Sequence, residues 1–172
     1  FGILKSLSSL QLQENQLSFL PEQITNSHNI SILNVSGNQL SDIPEGLDSL
    51  QRLSSLNISI NNLKFFPASI MNINSLIELD LSENQLESIP ENIGELTDLG
   101  ILKLNDNNIT ALPSTLCDLP DDCIIDVTGN HLCSDILQSV EECITTISYQ
   151  YCDECNSGFL LDKFCINTID VE

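Results

Sequence analysis

An interval of 23 residues separates the members of two series in this 172-residue chain. Asparagines form the first series, at Asn15, Asn38, Asn61, Asn84, Asn107 and Asn130. Prolines form the second series, at Pro21, Pro44, Pro67, Pro90 and Pro113. A fixed period of this length predicts a repeat protein, in which each coil of the chain packs mainly against its two neighbours.

Each repeat unit contains one short stretch in which apolar and polar residues alternate. Alternation with a period of two predicts a short β-strand with one buried face. The apolar pairs are Leu10/Leu12, Leu33/Val35, Leu56/Ile58, Leu79/Leu81, Leu102/Leu104 and Ile125/Val127. One coil cannot bury this face alone, so we expect stacked coils to share a single core.

The asparagine and the proline of each unit have separate roles in this prediction. Where the chain turns inward after the strand, buried backbone groups need hydrogen-bond partners, and a side-chain amide offers both donor and acceptor. The proline ends the strand and favours a short helical or 3₁₀ turn. In the first coil, Leu17, Leu20 and Ile24 are expected to fill the core from the outer side.

The repeated stretches resemble the leucine-rich repeat family, whose pattern L-x-x-L-x-L-x-x-N-x-L is followed here by x-x-[LIF]-P-x-x-[LI]. Five stretches match it: LSSLQLQENQL, ISILNVSGNQL, LSSLNISINNL, LIELDLSENQL and LGILKLNDNNI. The sixth, DCIIDVTGNHL, begins with Asp122 where an apolar residue is expected, which suits a terminal coil. The resemblance implies an α/β solenoid, a right-handed arc with a parallel β-sheet on its concave face and short 3₁₀ or helical turns on its convex face.

Three segments follow from this pattern. We expect a solenoid of about six coils over residues 1–132, a C-terminal cap over residues 133–151 and the start of a cysteine-rich module over residues 152–172. The opening FGILKSLSSL has neither an initiator Met nor a signal peptide, and predicts a processed or partial chain that lacks its N-terminal part.

The solvent-facing strand positions are the predicted binding surface, because they form columns across successive coils. The residues of two such columns are Gln11, Asn34, Asn57, Asp80, Lys103 and Asp126, and Gln13, Ser36, Ser59, Ser82, Asn105 and Thr128. Beside them lie Glu14, Ile32, Ile60, Ile77, Glu78, Glu83, Ile101 and Asp106. This face is interpreted either as a binding surface for a protein or glycan or as an ordinary solvated surface. The two interpretations are equally favoured, because the aromatic and Arg anchors of typical interfaces are missing from it.

Four N-x-[ST] triplets predict N-glycosylation, at Asn29, Asn34, Asn57 and Asn108. Asn34 and Asn57 occupy equivalent positions on neighbouring strands of the predicted concave face. Glycans on both would screen part of that face and would move binding to the convex face or the edges.

All seven cysteines follow residue 116. Cys117, Cys123, Cys133 and Cys143 bracket the last coil and a segment with the apolar spacing of a short amphipathic helix, at Ile136, Leu137, Val140, Ile144 and Ile147. This arrangement resembles the cysteine-bearing caps of extracellular leucine-rich repeat proteins. Disulfides there imply an oxidising compartment, so we predict that the protein is secreted or lies on the cell surface.

The final cysteines, in CDECNSGFLLDKFC, resemble the units of growth-factor-receptor-like or EGF-like cysteine-rich repeats. The resemblance implies disulfides that involve Cys152 and Cys165, while Cys155 lacks a partner within the chain and is free or bonded to another module or chain. Zinc is the competing interpretation of C-x-x-C, but His28 and His131 do not have the spacing of zinc ligands, so no metal and no cofactor is predicted.

The charge excludes several classes of partner. The net charge is −20, which repels phosphate backbones and anionic lipids, so neither nucleic acid nor a membrane surface is an expected partner. No apolar run is long enough to insert into a membrane. The acidity itself is interpreted as a means of solubility in a salty medium, and the alternative interpretation is weak binding of divalent cations.

Enzymatic activity is not predicted, because no nucleophile and base occur in a recognisable motif, and carboxylates on an open face are not buried enough for acid catalysis. Two function classes remain. One is an extracellular recognition module of a larger protein, which binds a protein or a glycan. The other is a structural component of an extracellular filament or coat, in which the chain associates with copies of itself.

Overall fold

The computed structural model describes residues 6–132 together with Val140 and Ile144. Six strands follow one another in the chain and in space, and form one parallel sheet in the order β1 to β6. The strands are β1 (Ser9–Gln11), β2 (Ile32–Asn34), β3 (Ser55–Asn57), β4 (Glu78–Asp80), β5 (Ile101–Lys103) and β6 (Ile124–Asp126). Each residue pairs with the residue 23 positions later, for example Leu33 with Leu56, so the sequence period is also the register of the sheet.

Short 3₁₀ helices on the convex side alternate with the strands. They span Glu22–Asn26, Glu45–Ser49, Ala68–Asn72, Ile93–Glu95 and Ser114–Asp118. Four of the five begin directly after a proline of the repeat, because proline is suited to the residue just before or at the start of a helical turn. The predicted solenoid, with strands on one side and 3₁₀ turns on the other, is confirmed.

The core is a single column of leucine and isoleucine side chains that runs through all six coils. In the second coil Leu33, Val35, Leu40 and Leu47 are fully buried, and later coils repeat this arrangement. Leu17 of the first coil is only partly buried. Val140 and Ile144, from the predicted cap, are buried in the same core, whereas the rest of the cap and residues 152–172 lie outside the described residues.

The repeated asparagines join neighbouring coils, as predicted. The Asn84 amide donates to the carbonyl oxygens of Leu81 and Ser82 in its own coil and of Ile58 in the preceding coil, at 3.0–3.2 Å. Its oxygen accepts the N–H of Leu63, again in the preceding coil, at 3.0 Å. One buried side chain therefore satisfies four backbone groups where the chain leaves the strand.

Candidate functional site

The sheet register places both predicted columns on one surface, which we call the concave face: the outward residues of β1 to β6, the turn after each strand, and the exposed Ile77 directly before β4. The third strand position carries the first predicted column, Gln11, Asn34, Asn57, Asp80, Lys103 and Asp126. The second column lies two residues further on, in the turns. The concave face thus presents side chains at equivalent positions on six adjacent coils.

A repeated turn connects the two columns. The side-chain oxygen of Asn57 accepts the backbone N–H of Ser59 at 2.9 Å and its hydroxyl at 2.8 Å. Asn34 bonds to Ser36 in the same way, and Asp80 to Ser82. In these three coils a side-chain oxygen accepts the hydroxyl of the residue two positions later, so the N-x-S triplets at Asn34 and Asn57 also have a structural explanation.

One ion pair lies in the middle of the concave face. Lys103 Nζ is 3.4 Å from Asp80 Oδ2, and it is the ion pair found within residues 6–132. The Asp80 side chain is largely buried by its neighbours, whereas that of Lys103 remains partly exposed. Beside this pair, Glu78 accepts a hydrogen bond from the Ser55 hydroxyl at 3.1 Å. The centre of the face is therefore polar and internally bonded.

Exposed isoleucines surround this polar centre. The side chains of Ile32, Ile60, Ile77 and Ile124 are 40–55% exposed, and Ile101 is partly exposed beside them. Ile32, Ile101 and Ile124 occupy the first strand position, which forms a further column. Large aliphatic side chains at such positions supply apolar area to an interface. Ile124 was missed by the sequence reasoning, although its equivalence to Ile32 and Ile101 was a signal for it.

The turn after each strand requires one residue with positive φ. Glu14, Gly37, Ile60, Glu83, Asp106 and Gly129 occupy this position, at φ values of 52–65°. Glycine adopts this conformation without strain, but a β-branched residue does so rarely. Ile60, at φ 54°, is thus held in an unfavourable backbone conformation while its side chain is exposed on the concave face.

The two cysteines among the described residues differ in their bonding state. Cys117 is disulfide-bonded, whereas Cys123 is a free thiol whose side chain is only 2% exposed. The predicted disulfide at Cys123 is therefore wrong in this structure, because that side chain points into the core of the last coil. Burial, with a smaller contribution from the Asp122 carboxylate, raises the pKa of Cys123 to about 11. Cys133, Cys143, Cys152, Cys155 and Cys165 lie outside the described residues.

The predicted glycosylation sites differ in exposure. Asn29 and Asn108 are exposed, whereas Asn34 and Asn57 are partly buried on the concave face. The Asn29 side-chain oxygen accepts a hydrogen bond from Arg52 of the next coil at 2.9 Å. All four sites stay predictions.

Between residues 6 and 132, three or more His, Cys, Asp or Glu side chains nowhere come together as a metal site would require. Over the same part of the chain, no helix has the length and apolar character needed to cross a membrane.

These features define a class of protein: a solenoid of parallel strands and 3₁₀ turns that presents a continuous concave surface. The leucine-rich repeat family model matches residues 29–50 and 75–96. No curated protein sequence matches the chain at a significant level.

Several solved structures are similar to the chain. A leucine-rich repeat protein of Leptospira interrogans is 31% identical at a TM-score of 0.76, over 86% of this chain and 38% of that one. The GASSHO1/SCHENGEN3 receptor kinase ectodomain of Arabidopsis thaliana was solved in complex with CASPARIAN STRIP INTEGRITY FACTOR 2. It is 31% identical at a TM-score of 0.77, over 88% of this chain and 19% of that one. A chain of the BIR3–SERK2 complex from Arabidopsis thaliana is 35% identical at a TM-score of 0.61, over 73% of this chain and 69% of that one.

This chain belongs to the leucine-rich repeat family, whose domains are protein-interaction modules. It spans well under half the length of the first two of these structures.

Proposed function

We propose that this chain is an extracellular recognition module of a larger secreted or surface protein, and that it binds a protein or a glycan through its concave face. The observation that carries the proposal is the set of exposed isoleucines around the Asp80–Lys103 pair. Exposed apolar side chains around a bonded polar centre suit a protein partner, since apolar contact adds affinity and the charges add specificity.

Ile60 gives further support. A β-branched residue at positive φ lowers the stability of its turn, and glycine fills the equivalent position in two other coils. Strained residues that persist in a fold are often part of a functional surface. Among similar structures, the GASSHO1/SCHENGEN3 ectodomain and the BIR3–SERK2 pair were solved as complexes with other chains.

The extracellular location is part of the proposal. It rests on the disulfide of Cys117, because disulfides persist in oxidising compartments. We propose that the other cysteines form a disulfide-rich cap over residues 133–151 and a cysteine-rich module that begins at residue 152. Of the four glycosylation sites, the exposed Asn29 and Asn108 are favoured over Asn34 and Asn57. Intact mass before and after enzymatic glycan removal measures their occupancy.

Affinity capture with surface variants tests the binding face. The wild-type chain is immobilised and a saturable partner is isolated from surface extracts of the source organism. A concave variant, Ile77→Arg with Ile124→Arg, is expected to lose at least about tenfold in affinity, since large charged side chains replace exposed apolar side chains of that face. A control with the same added charge on the convex side, Asn92→Arg with Thr97→Arg, should bind normally. If the control variant loses the partner and the concave variant keeps it, the concave face is not the binding surface.

The alternative is a structural component of an extracellular filament or coat. Sedimentation of the purified chain separates the two functions, because a recognition module is expected to be a soluble monomer. Recovery only as a polymer, with Cys155 joining chains through disulfides, would support the structural function instead.

A further inference from the structure

A groove opens on the flank of the solenoid, away from the concave face. It has a volume of about 440 Å³ and lies between the second and third coils. We call it the Phe65 groove, after the exposed phenylalanine in its lining. Its lining includes Asp42, Glu45, Phe65, Phe66, Pro67 and Ala68.

The exposure of Phe65 is the unusual feature of this groove. Phe66 packs against the core, but its neighbour Phe65 is 75% exposed although a coil flanks it on either side. The equivalent positions in neighbouring coils carry Asp42 and Ser88, so the fold does not require an aromatic ring there. A large aromatic ring that is mostly exposed is a typical anchor of a protein interface.

Charge defines what the groove can accept. Asp42 and Glu45 line it opposite the Phe65 and Phe66 pair, and neither takes part in the ion pair found within residues 6–132. Lys64 is not among the lining residues. One Asp42 oxygen accepts the N–H of Ile43 at 2.8 Å, which orients the carboxylate. An aromatic face beside carboxylates favours a cation, through cation–π contact and ion pairing together.

We propose that the Phe65 groove binds an extended segment of a partner protein in which an Arg or Lys side chain lies next to an apolar residue. The cationic group covers the Phe65 ring and bonds to Asp42 and Glu45, while the apolar neighbour packs on Phe66 and Pro67. A second copy of this chain fits poorly, because it carries 25 acidic residues against five basic ones. The proposal concerns a second surface and does not depend on binding at the concave face.

Selection from a displayed library of short random peptides tests the proposal, with the wild-type protein immobilised at low ionic strength. Peptides enriched on the wild type are expected to carry Arg or Lys beside an apolar residue. A synthetic copy of the strongest peptide is then measured against variants by fluorescence anisotropy. Phe65→Ala should weaken binding about tenfold, and Asp42→Asn with Glu45→Gln should weaken it several-fold and reduce its salt dependence.

Two matched controls keep the test specific. Phe19→Ala removes the other highly exposed phenylalanine of residues 6–132, and Glu87→Gln removes a carboxylate in the next coil; neither residue lines the groove. Both controls, and the concave variant with Ile77→Arg and Ile124→Arg, should bind the peptide like the wild type. Because Phe65 is mostly exposed, Phe65→Ala should unfold at the wild-type temperature.

Several outcomes would overturn the proposal. They are an absence of enriched peptides, enrichment of peptides without Arg or Lys, and equal affinity for the wild type and Phe65→Ala. On a glycan array, an uncharged glycan that binds the wild type and not Phe65→Ala would assign the groove to sugar recognition instead. A wild-type dimer in sedimentation that Phe65→Ala dissociates would assign it to self-association.

Discussion

At the scale of single residues, the repeated asparagines hold the coils together more specifically than the leucines do. Apolar burial has no direction, whereas each buried amide satisfies backbone groups of two coils at once, as Asn84 does. The first member of the series differs, because Asn15 is exposed and, within residues 6–132, its amide bonds to Leu12 and Gln13 of its own coil.

We expect Asn84→Asp to lower the free energy of unfolding by about 2–4 kcal/mol, since a buried carboxylate replaces three donated hydrogen bonds with repulsion from carbonyl oxygens. Asn15→Asp makes the same chemical change at an exposed position and should cost less than about 1 kcal/mol. Urea unfolding followed by circular dichroism measures both. Equal losses in the two variants would show that a buried asparagine of the series contributes no more to stability than an exposed one.

The buried Cys123 thiol should make the stability of the protein depend on pH. A folded-state pKa of about 11 means that the native state holds this proton more tightly than the unfolded state does. Stability from this group is therefore fully present below the unfolded thiol pKa of about 8.5 and is lost as pH rises towards the folded value.

Replacing the thiol isolates this effect. Between pH 8 and pH 10.5 the wild type should lose more unfolding free energy than Cys123→Val, which lacks the titrating group and shares all other ionisable residues. Chemical denaturation at both pH values gives the difference. If the two proteins show the same pH dependence, Cys123 does not titrate from a buried site.

At the scale of elements, the convex 3₁₀ turns are packed closely enough to restrict their residues. Gly94, in the turn Ile93–Glu95, approaches the turn Ser114–Asp118 of the next coil. A Cβ atom at Gly94 would meet the Thr115 backbone oxygen and would lie 2.6 Å from Asp118 Cβ. At Gly46, the nearest atom to such a Cβ is the Thr25 methyl at 3.4 Å.

Gly94→Ala should therefore destabilise the protein by about 1–3 kcal/mol, because the backbone of the neighbouring turn would have to move. Gly46→Ala makes the same substitution in another 3₁₀ turn with room for the methyl group, and should be neutral within about 0.5 kcal/mol. Thermal unfolding of the two variants decides the comparison. A Gly94→Ala protein as stable as the wild type would mean that the turns are not in close contact.

Most of the elements were predictable because a parallel sheet in register repeats its sequence period in space. The spacing of the asparagines gives the pairing of Leu33 with Leu56, and the prolines give the starts of the 3₁₀ helices. Features that depend on local packing were not predictable in this way. Of the adjacent Phe65 and Phe66, only one fits the core, and the direction of Cys123 depends on the last coil.

At the scale of the whole molecule, the cysteines determine how the solenoid ends. With Cys123 reduced and Cys117 in a disulfide, five cysteines beyond the described solenoid are left to supply the partner of Cys117 and any further bonds. An odd count of seven leaves at least one cysteine without a disulfide partner in the chain, and Cys123 is such a cysteine.

Alkylation of the denatured, unreduced protein should therefore label Cys123 alone, because the remaining six cysteines can form three bonds. Peptide mass spectrometry locates the label. Reduction before alkylation is the control, and it should label all seven cysteines. A label on Cys155 before reduction, with Cys123 unmodified, would restore the prediction that Cys155 lacks a partner within the chain.

The central claim is that the concave face is the recognition surface of the molecule. Hydroxyl-radical footprinting of the captured complex tests it most directly, since the method reports the exposure of individual side chains. Ile32, Ile77 and Ile124 should be protected when the partner is bound, while Asn92 and Thr97 on the convex side remain unchanged. Protection confined to the convex side, with these isoleucines as reactive as in the free protein, would contradict the claim.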